Sequence, residues 1–476
     1  MARVLSTTWS ILITSVLFAQ EQIGIVHSNY AGTDAVGLNP ARLSGQWAWT
    51  DIRIVGADLF AWNDHVYVRG RDRSVLGEVR ESVRTADGDR FSFNESLASG
   101  DRAAFVMAAV KGPAVAMSRG LNGFGAHIAT RFGLSVSGVG NGFARFAYNG
   151  LTYTPQHGVR YEDRHMRVLA AAWTEFGASY ARQLVSRDFT RLSIGATAKY
   201  LIGHGGAALG LGSLDYTVLD TVAAVIHQAS GQYGLAMPAV NAGKGFAFDA
   251  GVSYERTLDE ADGYIPHTAC DPLGYKYRIG FSLIDIGGLR FADAYAGSFD
   301  ASVADFSDYP AVEANDADAV DSLISASLSA FQRRDELRIG LPTAASLQYD
   351  HRVMDHVYVA AAVVQTLSFG DALRIRRPNT VSVAPQFETR RFEVAVPVTM
   401  YEYDPRRSGV GVMLRLNNLV IGSDNMLPLL TRGNLYGVDA YVRLKWTIFR
   451  SPVCRGKKKA AHRPGDGNAL PCVLPE

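Results

Sequence analysis

Along much of the chain, apolar side chains fall on every second position, with small or polar ones between them. In residues 192–202 one face carries Leu192, Ile194, Ala196, Ala198, Tyr200 and Ile202, and the other Ser193, Gly195, Thr197 and Lys199. A period of two predicts strands with one apolar and one polar face. Residues 275–283 set Tyr275, Tyr277, Ile279, Phe281 and Leu283 against Lys276, Arg278, Gly280 and Ser282. The pattern returns at 392–400, 410–416 and 438–448, and again at 124–136, 172–182, 246–255 and 345–350. Several of these segments approach the 9–11 residues that a tilted strand needs to cross a bilayer.

Charges keep to one face of these strands, and aromatics such as Tyr200, Tyr254, Tyr275 and Trp446 fall near the ends of the other. A soluble β-sandwich also alternates, but a wet, charged interior with aromatic girdles is the mark of a membrane barrel. The expected fold is therefore all-β, a transmembrane antiparallel β-barrel of about 14 strands, with 16 the even-numbered alternative. One strand breaks phase: beyond Leu283 the outward set would aim Asp285 at lipid. A bulge or membrane exit at Ile284-Asp285-Ile286-Gly287-Gly288 is expected to re-aim it. Short turns at 350–355 and 388–391 read as periplasmic. Longer insertions at 64–103 and 296–337, the second with an amphipathic helix over Ala317–Phe331, read as extracellular and suited to binding.

Composition adds export to this picture. Met1 to Ala19 reads as a cleaved signal peptide, with Arg3 ahead of the apolar run 4–18. Beyond it no run of about 18 apolar residues offers a spanning helix, and a closed barrel is the remaining way to cross. Residues 20–45 form an N-terminal hatch segment, 46–450 the barrel and 451–476 a polar periplasmic tail. The 476 residues carry a net charge of +1, so no nucleic-acid partner is indicated. Gly 47, Tyr 21 and Phe 22 at neutral hydropathy suit a barrel wall better than a soluble enzyme. Of the three cysteines, Cys454 and Cys472 are placed to pair in an oxidising periplasm, and Cys270 is left over.

The chain lacks the Gly-x-Ser-x-Gly, Cys-x-x-Cys and His-Glu-x-x-His patterns, so no enzyme activity is expected. Gly203 to Ala208 imitates a dinucleotide loop but reads as a strand-end turn. The acidic run Glu313 to Asp318 reads as a solvated loop rather than a Ca²⁺ site. No cofactor or metal is expected. The polar faces place His127, Arg131, Lys199, Arg278, Arg415 and Arg443 toward the lumen.

Residues 22–46 lack alternation and are rich in turn formers. Asn29-Tyr30-Ala31-Gly32-Thr33, Ala35-Val36 and Leu38-Asn39-Pro40-Ala41 resemble the opening of FadL-type fatty-acid-transport barrels. From about residue 22 to 450 the chain more closely resembles an uncharacterised Bacteroidota family of outer-membrane barrels, a domain of unknown function. The landmarks are Phe60 to Tyr67, Leu283 to Gly287, Leu341-Pro342-Thr343 and Ile421 to Asn425. The resemblance implies a Gram-negative outer-membrane barrel, embedded in lipid, with a hatch in which Asn29, Asn39 and Pro40 are the positions to test. Its implied function is a channel for a small apolar ligand that leaves by hatch movement or lateral exit. The alternative is a non-transporting scaffold for a surface secretion or motility assembly, with envelope proteins as partners.

Overall fold

The computed structural model describes residues 22–68, 93–96, 100–151, 153–221, 224–262, 272–305, 331–368, 372–426 and 434–452. The expected signal peptide, the three cysteines, the acidic run 313–318 and nearly all of the polar tail lie outside them. So does the helix expected at Ala317–Phe331, except for its last residue, which opens a strand.

Alternation produces strands that follow one another antiparallel around a closed sheet. They are β1 Thr50–Asn63, β2 Arg102–Arg119, β3 Asn122–Val139, β4 Arg160–Arg187 and β5 Thr190–Val218. Next come β6 (Ala224–Ala236 and Gly243–Thr257), β7 (Tyr275–Phe291 and Tyr295–Asp305) and β8 (Phe331–Arg334, Leu337–Gly340 and Ala344–Met354). The remainder are β9 Val357–Thr366, β10 Thr380–Glu388, β11 (Phe392–Ala395 and Val398–Tyr401), β12 (Gly409–Val410 and Val412–Leu416), β13 Leu419–Ser423 and β14 Gly437–Ile448. The barrel thus has 14 strands. It closes where β14 pairs with β1, from Thr50 opposite Ile448 to Trp62 opposite Gly437. Proline marks three of the interruptions: Pro238 in β6, Pro342 in β8 and Pro397 in β11. A residue without an N–H cannot continue the ladder there.

One end of the barrel has tight turns, as between β2 and β3, β4 and β5, and β12 and β13. At the other end β4 and β5 run on for 28 and 29 residues, roughly 90 Å at 3.3 Å per residue. Their upper halves, with those of β6 and β7, extend the sheet far past the length a bilayer needs. The other described elements include three short α-helices, α1 Ile23–Val26, α2 Thr33–Leu38 and α3 Asn141–Asn149, and a two-stranded antiparallel sheet of Val66–Val68 with Phe93–Glu95. The amphipathic α3 seats Phe143 and Phe146 against Tyr216 of the extended sheet, where Tyr216 also stacks on Tyr161.

The outer surface is apolar around the wall, with Ile128, Phe176, Ile194, Phe248, Phe281, Leu347, Val383 and Leu444 all exposed. Toward the tight-turn end an aromatic girdle runs from Phe124 and Tyr180 through Tyr254, Tyr277 and Tyr349 to Phe387 and Phe392. No described helix is long and apolar enough to cross a membrane, so this belt is carried by strands.

The phase expected from sequence holds along β5, β11, β12 and β14 and changes at two bulges in β7. The register shifts between Tyr275 and Tyr277, so Tyr275 turns inward and is buried, with Lys276 outside. That removes Tyr275 from the girdle. A second shift, between Leu283 and Ile286, turns Asp285 inward at φ 55°. Gly203 to Ala208 is not a turn: it lies within β5, whose partner strand β6 is interrupted there.

Candidate functional site

The N-terminal segment lies inside the barrel, where nearly every residue from Gln22 to Ser44 is buried. Asn39 ends α2 and accepts a hydrogen bond from the Ala41 N–H at 3.0 Å, with Pro40 opening a single 3₁₀ turn over Pro40–Ser44. The local reason is capping: a short carbonyl side chain satisfies an orphan N–H, and proline at the first position has no N–H to lose. The Asn39 amide also donates to the Val252 carbonyl at 3.0 Å and to Gln348 Oε1 at 2.9 Å. Asn-Pro-Ala is thus both a turn signal and an anchor to the wall.

Glycine makes the seat. A Cβ on Gly195 would fall 2.5 Å from the Pro40 carbonyl carbon, and one on Gly123 would fall 2.6 Å from that of Leu43. A Cβ on Gly251 would collide with the Asn39 side chain. Backbone can lie this close to backbone only where the wall has no side chain.

Charge fixes the rest of the segment. Asp34 pairs with Arg443 at 2.9 Å, Lys445 at 3.3 Å and Arg53 at 3.5 Å. Arg443 also pairs with Asp58, which holds Lys111 at 2.9 Å. Burial works against the Asp34 carboxylate, but Arg443, Lys445, Lys111 and Arg53 outweigh it and hold its carboxyl well below the usual range. His27 Nδ1 lies 2.8 Å from Asp350, whose other oxygen takes Arg278 at 2.7 Å. Asn29 reaches Arg278 through its side-chain oxygen at 3.3 Å and Glu388 through its N–H at 3.1 Å. Burial, then Glu388, pushes the nearby Tyr30 phenol up to about 12.

Deeper toward the long-loop end, Asp285 gathers Lys199 at 2.7 Å, Arg131 at 3.0 Å and Arg377 at 2.6 Å. Lys199 reaches Asp249 at 2.7 Å, and Glu175 receives Arg131 at 3.2 Å and His127 at 3.4 Å. Arg377 comes from the β9–β10 connection, which folds back into the lumen. There the Ile375 N–H donates to the Gly340 carbonyl and the Gly340 N–H to the Leu373 carbonyl, at 3.0 and 2.8 Å. Ile375 is buried in an apolar layer with Phe60, Trp62, Phe105, Phe291 and Tyr401. Between this loop and α2 lies a charge-lined cavity of about 110 Å³, bordered by Leu38, His127, Glu175, Lys199, Asp285 and Arg377.

The six residues expected to face the lumen, His127 among them, all lie inside, each beside a carboxylate; Arg415 takes Glu393 at 2.7 Å. Sequence reading missed most of these carboxylates and the returning loop. Asp249, Asp350 and Glu393 share the strand phase of the cations, and that phase was the available signal. Nothing in the periodicity of 367–379 marks a segment that turns inward. Asp285→Asn is expected to leave Lys199, Arg131 and Arg377 short of negative charge. It should lower the temperature at which the folded barrel opens in detergent, read by gel mobility, by more than Asp355→Asn in an exposed turn.

No curated protein matches the chain. Among solved structures it is similar to the Ralstonia pickettii toluene transporter TbuX, at 11% identity and TM-score 0.41, covering 88% of this chain and 94% of that one. It is also similar to the Pseudomonas putida toluene transporter TodX, at 12% identity and TM-score 0.40, covering 91% and 98%. A family model matches residues 104–424, and the chain belongs to that family, the Family of unknown function (DUF5723).

Proposed function

We propose that this barrel sits in the outer membrane and is a channel for a small apolar molecule. The observation that supports it is a break in the wall. Between Ala236 and Gly243, β6 leaves the sheet, while the paired β5 advances only from Gly206 to Gly203. Met237 and Val240 are pushed outward and exposed. Next to this excursion, starting at Lys244, lies a recess of about 1020 Å³ lined in part by Leu289, Leu337, Ile339 and Leu373, with the exposed Phe246 at its edge. Leu289, Leu337, Ile339, Leu373 and Phe246 give the recess an apolar side of a size that suits a hydrocarbon-like ligand, rimmed by Lys244, Arg290, Glu336, Arg338 and Arg374; the cavity above α2 is far smaller. The tight-turn end, where the N-terminal segment passes Ser118 into β1 and the aromatic girdle lies, is read as periplasmic.

Binding of N-phenyl-1-naphthylamine, followed by fluorescence in a non-fluorescing detergent, tests the reading. The wild-type protein should bind it saturably. Leu373→Asp, which leaves the wall intact, should weaken binding by roughly tenfold or more, because a charge would then face apolar surface. Absence of saturable binding to the folded wild type rejects the channel. In its place would stand a scaffold in a surface assembly, which the filling of the lumen from both ends favours. Co-purification of a defined set of envelope proteins would then be expected.

A further inference from the structure

The β9–β10 connection stands between the compartments of the barrel. Ala372, Leu373 and Arg374 border the wall recess, and Arg377 borders the charged cavity over α2. Arg376 borders a polar vestibule of about 970 Å³ at the long-loop end. The six residues from Ala372 to Arg377 thus separate three spaces. They are held by a single parallel β-bridge of Arg374 to Gly340 at one end and by the Arg377–Asp285 pair at the other.

The two attachments differ in kind. The bridge uses backbone on both sides, and the Arg374 guanidinium adds a hydrogen bond to the Leu341 carbonyl at 3.1 Å. On the Arg377 side, the guanidinium meets Asp285 at 2.6 Å and the Pro342 carbonyl at 2.8 Å. Asp285 sits on a bulge of β7 two residues before Gly287, and Gly287 lines the wall recess. The carboxylate that holds the loop therefore belongs to the strand that frames the lateral opening. The loop and that opening share one latch.

We propose that Ala372–Arg377 is an inner gate, latched by Arg377 on Asp285, whose release joins the wall recess to the lumen. This rests on the channel reading above. The N-terminal segment, seated on glycine and tied by several carboxylates, stays in place while the loop moves. The gate answers the local balance at Asp285, where Lys199 and Arg131 compete with Arg377 for the same two oxygens and Asp249 faces Lys199.

The test uses the full chain in lipid vesicles, with its native cysteines changed to serine. Ala129, which lines the charged cavity and is buried, is replaced by cysteine as a reporter. Labelling by a water-soluble methanethiosulfonate added at the long-loop side is timed. Arg377→Gln should speed labelling about tenfold or more, since even a modest change in latch energy shifts a closed population by that factor. A reversible lock is available as well. A Cβ on Gly340 would lie 3.1 Å from that of Arg374, a few tenths of an ångström inside the roughly 3.5–4.5 Å a disulfide spans, so a small outward shift joins them. In a separate protein carrying Ala129→Cys, Gly340→Cys and Arg374→Cys, oxidation should stop reporter labelling and dithiothreitol should restore it. The reduced form serves as its own folding control. Labelling that is indifferent to both Arg377→Gln and the lock overturns the gate. Because this readout needs no apolar ligand, the gate and the channel can fail separately: loss of naphthylamine binding in the wild type strikes only the channel.

Discussion

Arg443→Ala is expected to cost the barrel about 3–5 kcal/mol, the largest single loss foreseen here. The guanidinium is wholly buried and serves Asp34 and Asp58 together. Truncating it leaves two carboxylates inside the protein with less compensation than their burial demands. Equilibrium unfolding in urea with the protein in detergent would show a much lower midpoint. A triple variant, Arg443→Met with Asp34→Asn and Asp58→Asn, removes charge on both sides and should recover much of the loss. If the triple variant is as unstable as Arg443→Ala, packing rather than charge carries the effect. The sign with pH follows from the same pair. Asp34 titrates below its unfolded value, so its stabilisation is complete above about pH 4. It is lost progressively as pH falls from there toward the still lower folded value. Between pH 8 and pH 5, acidification should therefore not release the N-terminal segment through Asp34.

Gly195→Leu is expected to unseat that segment and, in a barrel whose inner loop is also released by Arg377→Gln, to leave a conducting pore. The new side chain would occupy the space of the Pro40 carbonyl, and backbone has little room to give. Overpacking of this kind costs about 1–3 kcal/mol, and each 1.4 kcal/mol is a tenfold change in population. Single-channel recording in planar bilayers should show frequent openings where the wild type is mostly closed. Gly37→Ala in the same Arg377→Gln background is the matched control. No atom lies within 4 Å of the position its Cβ would take, and α2 gains a better helix former. Equal conductance from the two variants would mean that the glycine seat does not hold the segment.

Much of the wall was legible in the sequence because a period of two has one physical meaning when one face is apolar and the other charged. β5 and β14 came through with their faces correct. Asp285 was legible as an anomaly, since a carboxylate in lipid phase demands a bulge, although its pairing with Lys199, Arg131 and Arg377 was not. Tyr275 failed because a single added residue flips every side chain beyond it, and nothing in Tyr275-Lys276-Tyr277 announces the slip. The long-range partners of the site were largely hidden. Asp34 and Arg443 are 409 residues apart, and alternation alone cannot join such pairs. The extension of β4 and β5 was hidden too, because Arg160 to Arg167 alternate less cleanly than the lipid-facing stretch and Gly203 to Ala208 read as a strand-end turn.

The position of Asp34 bears on how the barrel is made. Its carboxylate reaches Arg53 on the first strand and both Arg443 and Lys445 on the last. It therefore bridges the seam where the two ends of the sheet must find each other across the whole chain. Bringing such distant strands together is the slow, entropically costly step of a closed sheet. A segment bound to both edges acts as a clasp during biogenesis, even in a barrel whose segment never moves again. Deleting residues 22–46 would then yield an unclosed, proteolysed chain rather than an open pore, whereas point changes at its seat let the barrel close first.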